Sequence, residues 1–303
     1  MSVPSQSTEQ HTGASPAVKK APLVILVVGM AGTGKTTLVH RLQHYTRQAG
    51  IASFFVNLDP AVRDVPFTCN IDVRDTVNYR EVMRQYKLGP NGGIMTALNL
   101  FATKVHQVVE IIEKKPKLDW VVVDTPGQIE VFTWSASGQM ISEAFASTFP
   151  TTILFVADTS RCTKPQVFLS SMVYASSILF KSQLPLVVAF NKCDVVGGEE
   201  CVRWLRDHDA FADASHGQKG YSATLTASLA LFLHHFYEAT PCVTVSAATG
   251  SGMDELKSSL ETARDVYLTE FVPLMRRKED AKHTDEMRRL EAQLEAVKAD
   301  RQT

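Results

Sequence analysis

The segment Gly29-Met30-Ala31-Gly32-Thr33-Gly34-Lys35-Thr36 constrains the fold of this chain more than any other. It fits the pattern G-x-x-x-x-G-K-[ST], and its flanks turn that pattern into a mechanism. Before it, Leu23-Val24-Ile25-Leu26-Val27-Val28 is an apolar, largely β-branched run, the mark of a strand buried on both faces. After it, Leu38, Leu42 and Tyr45 recur at helical spacing until Gly50 supplies a stop. In such a turn the backbone N–H groups of Gly29, Gly32, Thr33, Gly34, Lys35, Thr36 and Thr37 can wrap a phosphate, helped by the positive end of the helix. Lys35 is expected to reach the terminal phosphates, and Thr36 to place its hydroxyl on Mg²⁺. The chain is therefore predicted to bind a nucleoside triphosphate.

Composition narrows the alternatives. The 303 residues hold one large domain or two ordinary ones with ample core. A net charge of −1 gives no electrostatic case for direct nucleic-acid binding. Cys69, Cys162, Cys193, Cys201 and Cys242 form no C-x-x-C pair, which suits reduced thiols in the cytosol or nucleus. No stretch approaches the ~20 apolar residues that cross a bilayer, so no membrane is expected. Residues 1–20 are rich in Ser, Gln, Thr and Pro, and read as a disordered tail rather than a signal or transit peptide.

Residues 51–58 read as a second strand that runs into Asp59-Pro60-Ala61. A carboxylate there sits at the ligand edge of an α/β sheet, where Asp59 suits Mg²⁺ or an attacking water. It suits a plain turn before proline equally well. Residues 76–87, with Asp75 as N-cap, and residues 96–115 are helical in pattern, and a chain-reversing loop over 88–93 joins them.

A third strand over 118–123 ends at Asp124-Thr125-Pro126-Gly127-Gln128. An apolar strand followed by D-x-x-G is where a nucleotide-binding fold keeps its second Mg²⁺ ligand, here Asp124. Gly127 leaves its N–H free for the γ-phosphate, and Gln128 stands where small GTPases carry a water-orienting glutamine. About sixty mostly helical residues separate the second and third strands, enough for a crossover, so these strands are predicted to be parallel. Ras-like GTPases join theirs by an antiparallel hairpin. The chain fits instead the other large P-loop class, that of signal-recognition and metallochaperone GTPases.

Buried strands over 152–157 and 184–190 flank a helix over 165–180. The second of them delivers Asn191-Lys192-Cys193-Asp194, an N-K-x-D motif. Asp194 can accept from both the ring N–H and the exocyclic amine of guanine, whereas adenine presents a lone pair there, a difference worth ~10⁴ or more in discrimination. Lys192 would lie along the base, and Asn191 would tie this loop to the phosphate loop. Ser246-Ala247, after a strand over 242–245, would offer N–H groups to the guanine carbonyl. The predicted base is guanine.

With these residues in place the chain resembles the GPN-loop GTPases. The namesake loop stands at Gly89-Pro90-Asn91, between the second strand and the D-x-x-G turn. Asp124 to Gly138 and Asp158-Thr159-Ser160-Arg161 are similar in particular to the branch associated with RNA polymerase II and nuclear import. The resemblance implies a dimer, of identical or sister subunits, in which Asn91 reaches into the partner's site and contacts the departing phosphate. It also implies a metal or water role for Asp59, RNA polymerase II subunits or assembly factors as partners, and a cytoplasmic protein that shuttles to the nucleus. No arginine finger is evident.

The expected architecture is a doubly wound, mainly parallel α/β GTPase domain over 21–275, with a helical insertion at about 199–240 and a charged helix or tail over 276–303. Within the insertion, 222–237 is apolar on more than one face and fits either a helix buried on the sheet or a groove for a client peptide. His234-His235 is rejected as a metal site, because adjacent histidines face different sides of a helix. A metallochaperone would need cysteine and histidine clusters that the sequence lacks. The remaining rival to a GTP hydrolase is a GTP-controlled adaptor whose turnover is incidental.

Overall fold

The computed structural model describes residues 21–215, 236–238 and 240–275. Every residue of β1 (Leu23–Val28) is buried, because alternate side chains feed opposite cores. Val24, Leu26 and Val28 join one apolar cluster, and Leu23, Ile25 and Val27 join the other. A strand covered on both faces needs apolar side chains on both, which explains the uninterrupted run. α1 (Lys35–Gln48) packs Leu38, Val39 and Leu42 on the second cluster.

After α1 come β2 (Ser53–Asn57), β3 (Ile71–Asp72), α2 (Val73–Thr76), α3 (Tyr79–Tyr86), α4 (Pro90–Ala102) and α5 (Val105–Glu113). They are followed by β4 (Trp120–Asp124), α6 (Ile129–Thr133), α7 (Ala136–Thr148), β5 (Thr151–Asp158), α8 (Thr159–Cys162) and α9 (Pro165–Ser182). β6 (Leu186–Asn191), α10 (Glu199–Arg206), α11 (His208–Ser215), β7 (Cys242–Thr244) and α12 (Met253–Val266) complete the order, with a π-helical turn at Tyr267–Phe271.

The sheet has seven strands in the order β3-β2-β4-β1-β5-β6-β7, all paired in parallel. β2 runs beside β4 from Ser53↔Trp120 to Asn57↔Asp124, the crossover the spacing predicted. α1 and α12 cover one face; α4 to α7 and α9 to α11 cover the other. The outcome is a doubly wound α/β fold. α10 and α11 turn Cys201, Trp204, Leu205 and Phe211 inward, which gives this part of the predicted insertion one apolar face. Trp204 and Phe211 meet Phe168 at ring distances of 5.3 and 5.5 Å.

Four local expectations change. The first helical piece breaks at Val77, whose extended backbone (φ −133°) separates α2 from α3. Their caps are Asp72 and Asn78 rather than Asp75. The second piece divides at Thr103 and Lys104 into α4 and α5. β3 escapes sequence reading, since two residues carry no periodicity. Last, the predicted 88–93 loop is shorter than expected: Leu88 and Gly89 join the two helices, but Gly89 caps α4 and 90–93 are its first turn, with Pro90 in the first position, where a missing N–H costs nothing. Gly93 lies inside the helix because a Cβ there would sit 2.5 Å from Met83 Cγ and 2.8 Å from Tyr79 Cε2. The residues 222–235, including His234 and His235, lie outside the described residues, as do both predicted tails.

A test of this packing is available at Gly138, where an added Cβ would lie 1.8 Å from the Phe132 carbonyl oxygen. Gly138→Ala should wedge α6 from α7 and lower unfolding stability by about 1–3 kcal/mol, read by chemical denaturation.

Candidate nucleotide site

The carboxyl ends of the strands carry the polar residues. Asn57, Asp124, Asp158 and Asn191 close β2, β4, β5 and β6, and all are at most 4% exposed. Register sets Asn57 beside Asp124 and Asp158 beside Asn191. Strand order reverses about β1, and a crevice at such a switch point is where an open parallel sheet binds ligands.

In the phosphate loop, Gly34 has φ 89°, and a Cβ there would meet Asn191 Nδ2 at 2.6 Å. Glycine is thus required twice, for the left-handed backbone and for the approach of Asn191. Asn191 Nδ2 donates to the Thr33 carbonyl (2.9 Å) while its Oδ1 accepts from the Ala247 N–H (3.0 Å). One buried amide therefore joins the phosphate loop to two loops at the other end of the site. The first α1 N–H bonded within the helix is that of Leu38, to Gly34. The preceding N–H groups, those of Lys35, Thr36 and Thr37, are the helix's orphan donors. Lys35 Nζ donates to the carbonyls of Gly29 (2.7 Å), Met30 (3.1 Å) and Gly127 (3.3 Å). Burial pushes its pKa down, against the pull of Asp124 and Asp59.

Thr36 Oγ1 donates to Asp124 Oδ2 at 2.8 Å. Asp124 Oδ1 is buried with no hydrogen-bond partner among the described residues. Burial raises this carboxyl to a pKa of about 7, opposed by Thr36 and Lys35. An orphaned carboxylate oxygen beside a hydroxyl fits a hard cation with oxygen ligands such as Mg²⁺. Asp59 reaches the same corner: its Oδ1 accepts from the Ala61 N–H (2.9 Å), its Oδ2 from the Gly127 N–H (3.2 Å). The N–H expected to meet a γ-phosphate thus carries the Asp59 carboxylate here. Gln128 follows, half-buried, as the N-cap of α6.

At the other end, Asp194 Oδ1 accepts from Ser246 Oγ at 2.5 Å. The Ser246 and Ala247 N–H groups, expected to face a base carbonyl, donate to Ser251 O and Asn191 Oδ1 instead. What Ser246 offers in this state is a hydroxyl that orients Asp194. Lys192, at φ 72°, donates to Gly32 O (2.8 Å) and Asp158 Oδ2 (2.7 Å).

A family profile described as "Conserved hypothetical ATP binding protein" matches residues 27–266. The GPN-loop GTPase QQT2 of Arabidopsis thaliana is 53% identical over 81% of this chain and 65% of its own length. GPN-loop GTPase 1 of Dictyostelium discoideum is 51% identical, over 82% and 63%. The chain thus spans less than two thirds of the length of these relatives. GPN-loop GTPase 1 of Schizosaccharomyces pombe is 45% identical over 93% of this chain and 80% of its own length. The chain belongs to the GPN-loop GTPase family. Among solved structures, an apo-form GTPase from Pyrococcus abyssi superposes with a TM-score of 0.70 at 24% identity, over 82% of this chain and 99% of that one, and so shares the fold.

The GPN loop is tied to Tyr79, whose hydroxyl donates to the Pro90 carbonyl (3.2 Å) and whose pKa is raised by burial and by the charge of Asp59. Gly89, Pro90 and Asn91 are exposed at the start of α4, and Asn91 takes part in none of the hydrogen bonds above. Two features escaped the sequence reading. One is the chain from Asn57 Nδ2 to Asp72 Oδ1 (3.0 Å) and on to Arg74, which anchors the Asp59 turn. The other is the role of Asp158, which the sequence marked only as part of the family-like Asp158-Thr159-Ser160-Arg161, an acid closing an apolar strand.

Proposed function

We propose that this chain hydrolyses GTP with Mg²⁺ as one subunit of a pair, attack being by water on the γ-phosphorus. The observation that carries the reading is Asn191, whose side chain binds the phosphate loop to the base loop across the strand ends. Asp194, oriented by Ser246, would accept the two guanine donors, and Lys192 would lie along the base. The family profile is described as ATP-binding, but an acceptor at Asp194 favours guanine. The amides of residues 29–37 and Lys35 would neutralise phosphate charge. Thr36 and Asp124, with Asp59 as a further candidate, would hold Mg²⁺, which would supply charge neutralisation to the phosphates. An arriving γ-phosphate competes with Asp59 for the Gly127 N–H, so the freed carboxylate, or Gln128, can place the water. Asn91 would complete the site from the partner, a second copy or a sister GPN-loop GTPase. By family resemblance the biological setting is RNA polymerase II assembly and nuclear import, between cytoplasm and nucleus. Phosphate release tests the chemistry: GTP should turn over only with Mg²⁺ present, and a hundredfold excess of ATP should not compete. Equal hydrolysis of ATP would overturn the guanine assignment.

A second reading, a GTP-controlled adaptor, is favoured by an apolar cavity of about 300 Å³ beside α7. Phe132, Ile153, Ile178 and Leu184 line it together with the charged Glu143 and Lys181. Phe132 lies on α6, directly after the D-x-x-G turn, so a γ-phosphate signal has a short route to that cavity.

A further inference from the structure

We infer that Asp158 is a positioning residue for guanine recognition, holding the Lys192 ammonium against the phosphate loop so that its stem lies along the base. The carboxylate is split between two tasks. Oδ1 accepts from the Ser160 N–H (3.1 Å) and the Ser160 hydroxyl (2.6 Å), which fixes the group at the start of α8. Oδ2 is thereby turned to Lys192 Nζ at 2.7 Å, with Arg161 Nε at 3.5 Å. Only 4% of Asp158 is exposed, so this ion pair is shielded from water on the carboxylate side. Burial alone would raise the Asp158 pKa, yet hydrogen bonds from Lys192 and Ser160 hold it below the ordinary value. Lys192 meanwhile sits in a left-handed conformation (φ 72°) that a lysine seldom adopts, and its ammonium spans from Asp158 to the Gly32 carbonyl. A flexible lysine stem lies flat along a base only if its far end is pinned. Asp158 supplies the pin from a different strand.

This rests on the reading of Asn191 to Asp194 as the base loop, and the experiment separates the two. GTP and GDP affinities are measured for the full chain, for Asp158→Asn, for Lys192→Met and for the double variant. Asparagine caps a helix as well as aspartate, so the first variant keeps the Ser160 contacts while removing the charge. Each single change should raise the dissociation constant about tenfold, the weight of a hydrogen bond to a charged group. The double variant should be no worse than Lys192→Met alone, because Asp158 then has nothing to position. Additive losses, of about a hundredfold, would overturn the positioning role while leaving the base loop intact. No loss from Lys192→Met would instead sink the base-loop reading. Asp158→Ser, which can still cap but is too short to reach Lys192, repeats the cycle independently. If neither variant folds, Asp158 is a structural residue and the inference is wrong.

Discussion

Asp194→Asn is expected to lower GTP affinity by about 10³–10⁴-fold and to create measurable affinity for xanthosine triphosphate. Guanine presents two donors, the ring N–H and the exocyclic amine, and a carboxylate accepts both. An asparagine amide keeps one acceptor but places an N–H₂ against the guanine amine, leaving two donors face to face. Xanthine carries a carbonyl where guanine carries that amine, so the same N–H₂ gains a partner. Ser246 Oγ, which donates to Asp194 Oδ1, can donate equally to an asparagine oxygen, so the loop should keep its shape. Competition binding against a fluorescent GDP reads both effects. Equal losses for both nucleotides would mean that Asp194 only supports the loop.

Asn91→Ala is expected to reduce GTP turnover by about 10²–10³-fold, the usual weight of one preorganised donor at a developing charge. Nucleotide affinity and thermal stability should hardly move. Asn91 is exposed in the first turn of α4, and alanine is at least as good a helix former. The same variant separates the two readings of the protein. If client capture and cellular function survive while turnover stops, hydrolysis is incidental and the adaptor account is correct.

The legible parts of this chain were those in which local chemistry and tertiary role coincide. The run before the phosphate loop could only be a doubly covered strand, and the sixty-residue gap after β2 could only be a crossover. N-K-x-D and D-x-x-G were readable because each follows an apolar strand, which delivers it to one edge of the sheet. The failures share a different cause. Gly92 and Gly93 read as breakers, but helix packing decides them: α3 approaches α4 so closely that Gly93 has no room for a side chain. Asp158 lacked a visible role because its partner, Lys192, is 34 positions away and meets it only through the β5–β6 pairing. Asp59 reaches Gly127 across 68 positions in the same way. Spacing reveals contacts along one element; contacts between strand ends require the sheet order.

That order also frames the central claim, that the site is completed from a second subunit. Within one chain Asn91 has no part in the hydrogen bonds of the phosphate corner. Mixing two inactive variants tests this directly. Lys35→Ala removes a subunit's own chemistry but leaves its Asn91 to donate; Asn91→Ala keeps the phosphate loop but donates nothing. In mixed pairs one composite site is whole, so turnover should return to about a quarter of the native rate after equal, random mixing of a two-fold dimer. Turnover in the mixture that stays at the average of the two variants, with pairing verified on the same sample, would contradict the account.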